Sequence, residues 1–476
     1  MNALPDPPPQ QEAPRALLLF HFLSITAAWR AVFPQMRTFQ RALAQALGGL
    51  LCLGRRTLTR ILWTNGREQM PWAADYHLHS RCQWEAQSLF DTVLHEALPL
   101  SRGRLVGVAL DDTRLHKTGR CIQQAFYQRD PLSPPFHVNL MLGLRFLQAS
   151  LLVPAFRGAS RFMTRALPVR FCEVSRVKHP GKKASEEEIA QWKAARKKHN
   201  LPQHAVETMR DLRTAMDRAG GARKIMVMAG DGSFCNRTCF AAQIERTELL
   251  VRCRKDAVLC RRATEKGRKY YGPEKFTPEA VRKDDTLAWE TTRLHYGGKK
   301  HKVRYKEIKE VLWQGGARRR PLRVIVIAPT PYRKRKSGRF HYRQPAYLLT
   351  TDLKSPAVKL IQIYLDRWQI EVNHREEKDT LGVGQAQLWN KKAVPRQPVL
   401  AVAAYSALLL AGLKAFGAER GEPYAPLPKW RSKRPRRASC LDLVARLRKE
   451  ATAEGAELLP PAIILTPNAI VAAAAA

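Results

Sequence analysis

Residues Tyr364–Lys378 read Tyr-Leu-Asp-Arg-Trp-Gln-Ile-Glu-Val-Asn-His-Arg-Glu-Glu-Lys. No Gly or Pro interrupts the chain from Ala357 to Leu381, and apolar Val358, Ile361, Leu365 and Ile370 recur at helical intervals. This pattern predicts one helix. At ~100° per residue, Tyr364, Arg367, Glu371 and Lys378 fall at about 0°, −60°, −20° and −40°. Four polar groups therefore share a narrow stripe. A carboxylate flanked by two cations and a phenol suits a hard cation beside phosphates: the carboxylate ligates the ion, and Arg, Lys and Tyr hold phosphate oxygens. The same spacing also serves a solvated amphipathic helix with internal Glu–Arg and Glu–Lys pairs.

Tyr-x2-Arg-x3-Glu-x6-Lys resembles the signature of insertion-sequence DDE transposases of the IS4/IS701 type, and the stretch matches it at all four positions. The resemblance implies Glu371 as a catalytic metal ligand and Tyr364, Arg367 and Lys378 as DNA phosphate-binding residues. It also requires two further carboxylates upstream. It assigns His374 and Arg375 no firm role, although they lie one turn from Glu371. Trp368 and Ile370 point to other faces and read as core.

The bulk composition agrees with such a chemistry. The chain has 476 residues, enough for two or three domains, and is 45% hydrophobic. It carries 82 Lys and Arg against 41 Asp and Glu, a net charge of +41. Such an excess implies a polyanionic partner, with nucleic acid the default. Nine cysteines, an odd number, suggest reduced thiols. Cys235, Cys239, Cys253 and Cys260 fit no common zinc-knuckle spacing. No segment reads as transmembrane; Ala401–Leu413 is the most apolar run and reads as a buried helix.

Residues 1–14 are Pro/Gln-rich and read as disordered. Residues 15–100 read as a helical, Arg-rich N-terminal DNA-binding region, with helices at Ala16–Ala31, Phe39–Leu53, Arg55–Trp63 and Trp84–Leu98. Met70–Asp75 and the pair His77 and His79 read as loop, with neither histidine a metal ligand. From Leu105 the texture changes. Val106–Leu110 is a short apolar strand ending in Asp111-Asp112, and Phe136–Phe146 and Ser150–Phe156 read as two more. Helices follow at Ser185–His199 and Gln203–Ala219, then a fourth strand, Lys224–Ala229, runs into Gly230-Asp231-Gly232.

Three strands, a helix and a strand is the order of an RNase H-like core. In that topology the first and fourth strands are parallel neighbours joined by a crossover. Asp111/Asp112 and Asp231 would then sit side by side at the strand carboxyl ends, where open α/β sheets bind ligands. The fold expected is α/β: an RNase H-like catalytic core (101–233 and 354–420, the latter with the Glu helix), a β-strand-rich basic insertion (234–353) and the α-helical N-terminal region. Strands are expected at Glu248–Lys255, Lys302–Trp313, Pro321–Ala328 and Gln344–Thr351. Basic loops lie at Arg261–Lys269, Arg318–Arg320 and Arg333–Lys336, with Trp289, Tyr305 and Trp313 interleaved. Such a texture suits phosphate pairing and base stacking. Some proteins of this type hold a flipped base on a Trp of the insertion, and Trp289 and Trp313 compete for that role. Val399–Phe416 reads as an apolar helix. Residues 421–476 read as a basic linker, with Lys433-Arg434-Pro435-Arg436-Arg437, then a helix at Leu441–Glu450 and a low-complexity tail.

The catalytic and metal-binding acids are then Asp112, Asp231 and Glu371. Asp112 is preferred over Asp111 because only one of two successive strand residues can face the metals, and the resembling proteins commonly use the second acid. Two Mg²⁺ ions about 3.5–4 Å apart, with Mn²⁺ as a substitute, would stabilise the attacking and leaving oxygens of an in-line displacement. This needs the three acids within roughly 8 Å of one another. The function implied is a transposase that binds terminal inverted repeats, cleaves DNA phosphodiester bonds and joins 3′ ends to target DNA. The partners are double-stranded DNA (transposon ends and target) and a second copy in a synaptic homodimer, with no membrane. The location implied is the bacterial cytoplasm, at the nucleoid. The rival readings are a related nuclease without strand transfer, a catalytically inactive transposase-derived DNA-binding protein, and a basic RNA-binding protein.

Overall fold

The computed structural model describes residues 16–131, 133–134, 136–154, 164–263, 270–334, 337–421, 424–431, 435–460 and 463. The sequence readings at 1–14, over most of the Arg261–Lys269 loop, and at Lys433, Arg434 and most of the tail fall outside those residues. The chain divides into two compact units. One comprises residues 1–78, 82–84 and 407–476; the other comprises 79–81 and 85–406.

The first unit is helical, with helices at Leu17–Ala27, Met36–Leu51, Leu58–Thr64 and Cys440–Lys449. Its core holds fully buried Leu18, Phe22, Ile25, Trp29 and Leu47. Polar groups pin it as well. Asn65 Nδ2 donates to Ala44 O at 2.8 Å and Gln45 Nε2 to Asp75 O at 2.9 Å. The C-terminal segment is tied in through buried Glu450, which accepts from Leu19 N at 2.7 Å and Arg446 Nε at 2.6 Å. A helix, Ala73–Ser80, replaces the expected loop around His77 and His79. His79 is fully buried, and burial followed by the nearby Arg396 charge lowers its pKa to about 3.

The second unit is mixed α/β around a central mixed sheet. Its first strands are β1 (Leu105–His116), β2 (Phe126–Arg129), β3 (Leu140–Pro154), β4 (Thr164–Glu173), β5 (Ile225–Gly230) and β6 (Thr247–Arg252). β4 pairs with β3, β3 with β1, and β1, β5 and β6 run parallel in that order. The order is consistent with an RNase H-like nuclease core. Two sequence readings change. The strands expected at 136–146 and 150–156 are one continuous β3, buried along most of its length, so no alternation marks its middle. β4 went unread because it carries Pro168 and two buried arginines, Arg165 and Arg170.

After β6 come β7 (Leu259–Arg262) and β8 (Tyr271–Phe276), which pair with each other. Next are β9 (Glu290–Tyr296), β10 (Lys299–Val311) and β11 (Leu322–Ile327), the small hairpin β12 (Pro331–Arg333) and β13 (Phe340–Tyr342), and β14 (Ala346–Thr350). β14 joins β6 antiparallel, and β11, β10 and β9 follow, so these basic strands extend the central sheet itself.

Not every helix of this unit packs on the sheet: Glu186–Lys198 has no buried residue. Glu186–Lys198 begins at a capping box between Ser185 and Glu188. Leu201–Met216 begins at Asn200, whose side chain accepts from Gln203 N, and it buries Val206, Met209, Leu212 and Met216. The long helix expected over 357–381 is broken. Ala357–Asp366 ends before Arg367 and Trp368, Gln369–Arg375 follows, and Glu376–Thr380 is a π-helical turn. Leu360 and Ile361 lock the first piece onto Val227, Leu250 and Leu348 of the sheet. Trp368, read as core, is 60% exposed. Gly384 (φ 96°) ends the segment; a Cβ there would lie 2.9 Å from Leu115 Cβ. The apolar helix starts earlier than expected, spanning Ala393–Phe416 with Pro398 inside. It is long and apolar enough to cross a membrane, but 72% of its most apolar window is buried within the protein.

Candidate active site

β1 and β5 pair from Leu105↔Ile225 to Leu110↔Gly230. Asp111 and Asp231 are the next residue on each strand, so the topology sets them side by side. β1 does not stop at Leu110, as expected; it continues to His116 against β3, and the aspartates lie within it. Gly230 permits the turn into Asp231: a Cβ there would meet Phe234 Cδ2 at 2.8 Å. Asp231 then caps a 3-10 turn, accepting from Ser233 N at 2.9 Å and Ser233 Oγ at 3.3 Å.

Strand alternation separates Asp111 from Asp112. A Cβ on Gly107 would lie 3.0 Å from Ile363 Cγ2, and Ala109 packs with Ile363 and Ile370. Odd-numbered positions of β1 thus face the helices that carry Tyr364 and Glu371. Asp111 shares that face. Its Oδ2 is 3.9 Å from His374 Nε2, and its Oδ1 accepts from Asp112 N at 2.9 Å. Asp112 points to the opposite face, where Oδ2 is 2.8 Å from Arg145 Nε and 3.8 Å from Arg114 Nη1. The preference for Asp112 therefore does not match the side-chain directions.

Burial pushes the Asp111 carboxyl up to about 6; His374 and Arg367 oppose that shift, while Asp231 and Asp112 add to it. Arg367 stands at the helix break, with Nη2 3.4 Å from Glu371 Oε1 and its guanidinium 5.9 Å from the Tyr364 ring centre. Burial also raises the Tyr364 phenol; Arg367 and Arg252 counter this, and Asp231 adds to it. Tyr364, Arg367, Glu371, Asp111 and Asp231 thus form one electrostatic cluster linked through Arg367. Lys378 lies on the π turn, where the helical spacing that aligned it with the stripe is lost.

Among the described residues, no group of three or more His, Cys, Asp or Glu side chains is gathered to hold a metal ion. The three acids are therefore not gathered into one cluster as the sequence reading required. The donor set nevertheless fits a hard cation. Mg²⁺ is usually held by one or two carboxylates, with water and substrate phosphates completing the shell. Asp111 and Asp231 would supply that pair, and Glu371 is a third carboxylate on the Gln369–Arg375 helix.

A cleft of about 960 Å³ opens beside Asp231, lined by Arg252, Arg254, Lys255, Arg282 and Trp313. Trp289 instead lies against Lys306, whose Nζ is 4.6 Å from its ring centre, and Arg304. Sequence reading gave His374 no firm role and passed over Arg252 and Gln148, the β3 residue opposite Asp111. For Gln148 the only available signal was a polar residue inside an apolar strand.

No curated protein matches the chain. A family model described as DDE superfamily endonuclease matches residues 31–320. The match takes in Asp111, Asp112 and Asp231 and ends before Glu371. With more than half of its length matched, and with adjacent carboxylates at the ends of paired parallel strands, the chain belongs to the DDE superfamily endonucleases.

Proposed function

We propose that the protein is a DNA transposase of the IS4/IS701 insertion-sequence type. In this reading it binds the terminal inverted repeats of its element, cleaves there and joins the 3′ ends to target DNA. The observation that carries the reading is the Asp111–Asp231 pair facing the helix break that bears Arg367 and Glu371. Divalent cations bound there, Mg²⁺ or Mn²⁺, supply Lewis-acid stabilisation of the attacking and leaving oxygens.

The chain's own groups do the rest. Asp111 and Asp231 hold the cations, with Glu371 as the third carboxylate; Asp111 takes the place that sequence reading gave to Asp112. Arg367 exchanges its contact with Glu371 for a phosphate oxygen when DNA enters, and Tyr364 and Lys378 bind neighbouring phosphates. Arg252, Arg254 and Lys255 guide the backbone along the cleft, where Trp313 is better placed than Trp289 to stack on a base. The Arg-rich helices of residues 15–100 bind the transposon ends, and two copies pair in the synaptic complex at the bacterial nucleoid.

The test is incubation of the full chain with end-containing DNA and Mg²⁺. Nicked and joined products that vanish in Asp111→Asn, Asp231→Asn and Glu371→Gln support the reading. Nicking without joining identifies a nuclease lacking strand transfer. End binding with no cleavage in the unaltered protein identifies a DNA-binding derivative.

A further inference from the structure

Near Asp111 lie three buried polar atoms without a hydrogen-bond partner: His374 Nε2, Glu377 Oε1 and Gln148 Oε1. Gln148 is the register partner of Asp111 across β1 and β3, so the two side chains share a face. His374 Nδ1 is 3.4 Å from Glu377 Oε2, and its Nε2 is 3.9 Å from Asp111 Oδ2. The side chains of His374 and Glu377 are 10% and 2% exposed. The imidazole is thus buried between two carboxylates.

The helix does not need His374 to hold it in place. The adjacent Asn373 does that: its Nδ2 donates to Ala166 O at 3.1 Å and to Tyr405 Oη at 3.0 Å, while its Oδ1 accepts from Ser150 Oγ at 3.1 Å. Ile370, fully buried against Ala109, adds an apolar anchor.

We propose that His374 is a positioning residue for Asp111, with Glu377 behind it fixing the ring. The inference rests on the assignment of Asp111 as a cation ligand made above. Each ring nitrogen faces a carboxylate oxygen, Nδ1 that of Glu377 and Nε2 that of Asp111. Asp111 Oδ1 is already fixed by the Asp112 N–H. The imidazole packed beside Oδ2 restricts the rotation of the carboxylate. The 3.9 Å gap is too long for a hydrogen bond, so the restraint is one of packing. Outer partners of this kind orient a metal ligand, and their removal weakens metal affinity about 10–100-fold.

The test is Mn²⁺ titration of the full chain without DNA, by calorimetry or electron paramagnetic resonance. His374→Ala is expected to weaken Mn²⁺ binding about 10–100-fold. Glu377→Gln should weaken it in the same direction, and the double variant should be no worse than His374→Ala alone. His374→Gln, whose amide nitrogen reaches about as far as Nε2, should recover most of the affinity. Unchanged Mn²⁺ affinity in His374→Ala overturns the proposal; should that variant not fold, unchanged affinity in Glu377→Gln does so. A loss in Asn373→Ala as large as that in His374→Ala also overturns it, because the effect would then be scaffolding alone. Asp111→Asn separates the two levels. If it abolishes Mn²⁺ binding while His374→Ala does not alter it, only the positioning role fails. If Asp111→Asn binds Mn²⁺ normally, the cation-site assignment fails as well.

Discussion

Asp111 and Asp112 are consecutive residues of one strand, yet they occupy opposite sides of the sheet and different chemistries. Asp111 lies in an acid-rich pocket with Asp231, reached by Arg367 and His374, and its proton affinity is raised. Asp112 is paired directly with Arg145 and approached by Arg114. Burial raises the first carboxyl against the pull of His374 and Arg367, while the second is held in ion pairs. Under the proposed reading a cation binds at the first, whereas at the second it would have to displace an existing ion pair.

That contrast sets the largest expected effect. Asp111→Asn should reduce DNA-end cleavage by on the order of 10³-fold or more, a loss of about 4 kcal/mol of transition-state stabilisation. Asp112→Asn should stay within about tenfold of the unaltered protein, since its contacts are structural. Single-turnover cleavage assays on both variants check this, and the reverse ranking would break the comparison. Next in size is Arg367→Ala, expected to slow cleavage about 10²-fold while leaving end binding within a few-fold, as read by paired cleavage and gel-shift titrations.

Smaller effects appear in stability. Asp112→Asn leaves Arg145 without its charged partner and should cost about 1–3 kcal/mol in urea unfolding; Asp111→Asn should cost less or even stabilise, since it removes a carboxylate crowded by others. The smallest effect concerns a third acid, Asp366, at the end of the Tyr364 helix. Burial raises its carboxyl from 3.8 to about 7, opposed by hydrogen bonds from Thr164 and Gln362. A folded-state pKa above the unfolded value means a contribution that is full below about pH 4 and lost as pH rises through 7. Asp366→Asn should therefore match the unaltered protein near pH 4 and exceed it by about 1–2 kcal/mol at pH 8. Thermal melts at the two values check the sign.

Much of this site was legible in the chain. The Tyr364, Arg367 and Glu371 spacing, the strand leading into Asp231 and the doublet at Asp111 are local signals, and the fold preserves them. The choice within the doublet was not legible from alternation alone, because alternation says that the two differ and not which faces the helix. A cue was present nonetheless. Gly107 and Ala109 are the smallest side chains of β1 and share the parity of Asp111, and small residues mark the face where another element packs closest. The helix break at Arg367 and the π turn beneath Lys378 left no mark in the sequence, since no Gly or Pro signals either. β4 was hidden because its buried arginines are satisfied by partners distant in sequence, as when Arg170 pairs with Asp91 and Asp211. Gln148 was hidden for the same reason: its hydrogen bond to Ser150 belongs to a network completed by Asn373 and Tyr405.

The most direct measurement is anomalous diffraction from crystals of the full chain soaked in Mn²⁺. The account predicts a peak within about 2–2.6 Å of a carboxylate oxygen of both Asp111 and Asp231, with Asp112 still held by Arg145. A peak at Asp112 instead, or one contacting neither Asp111 nor Asp231, would contradict it.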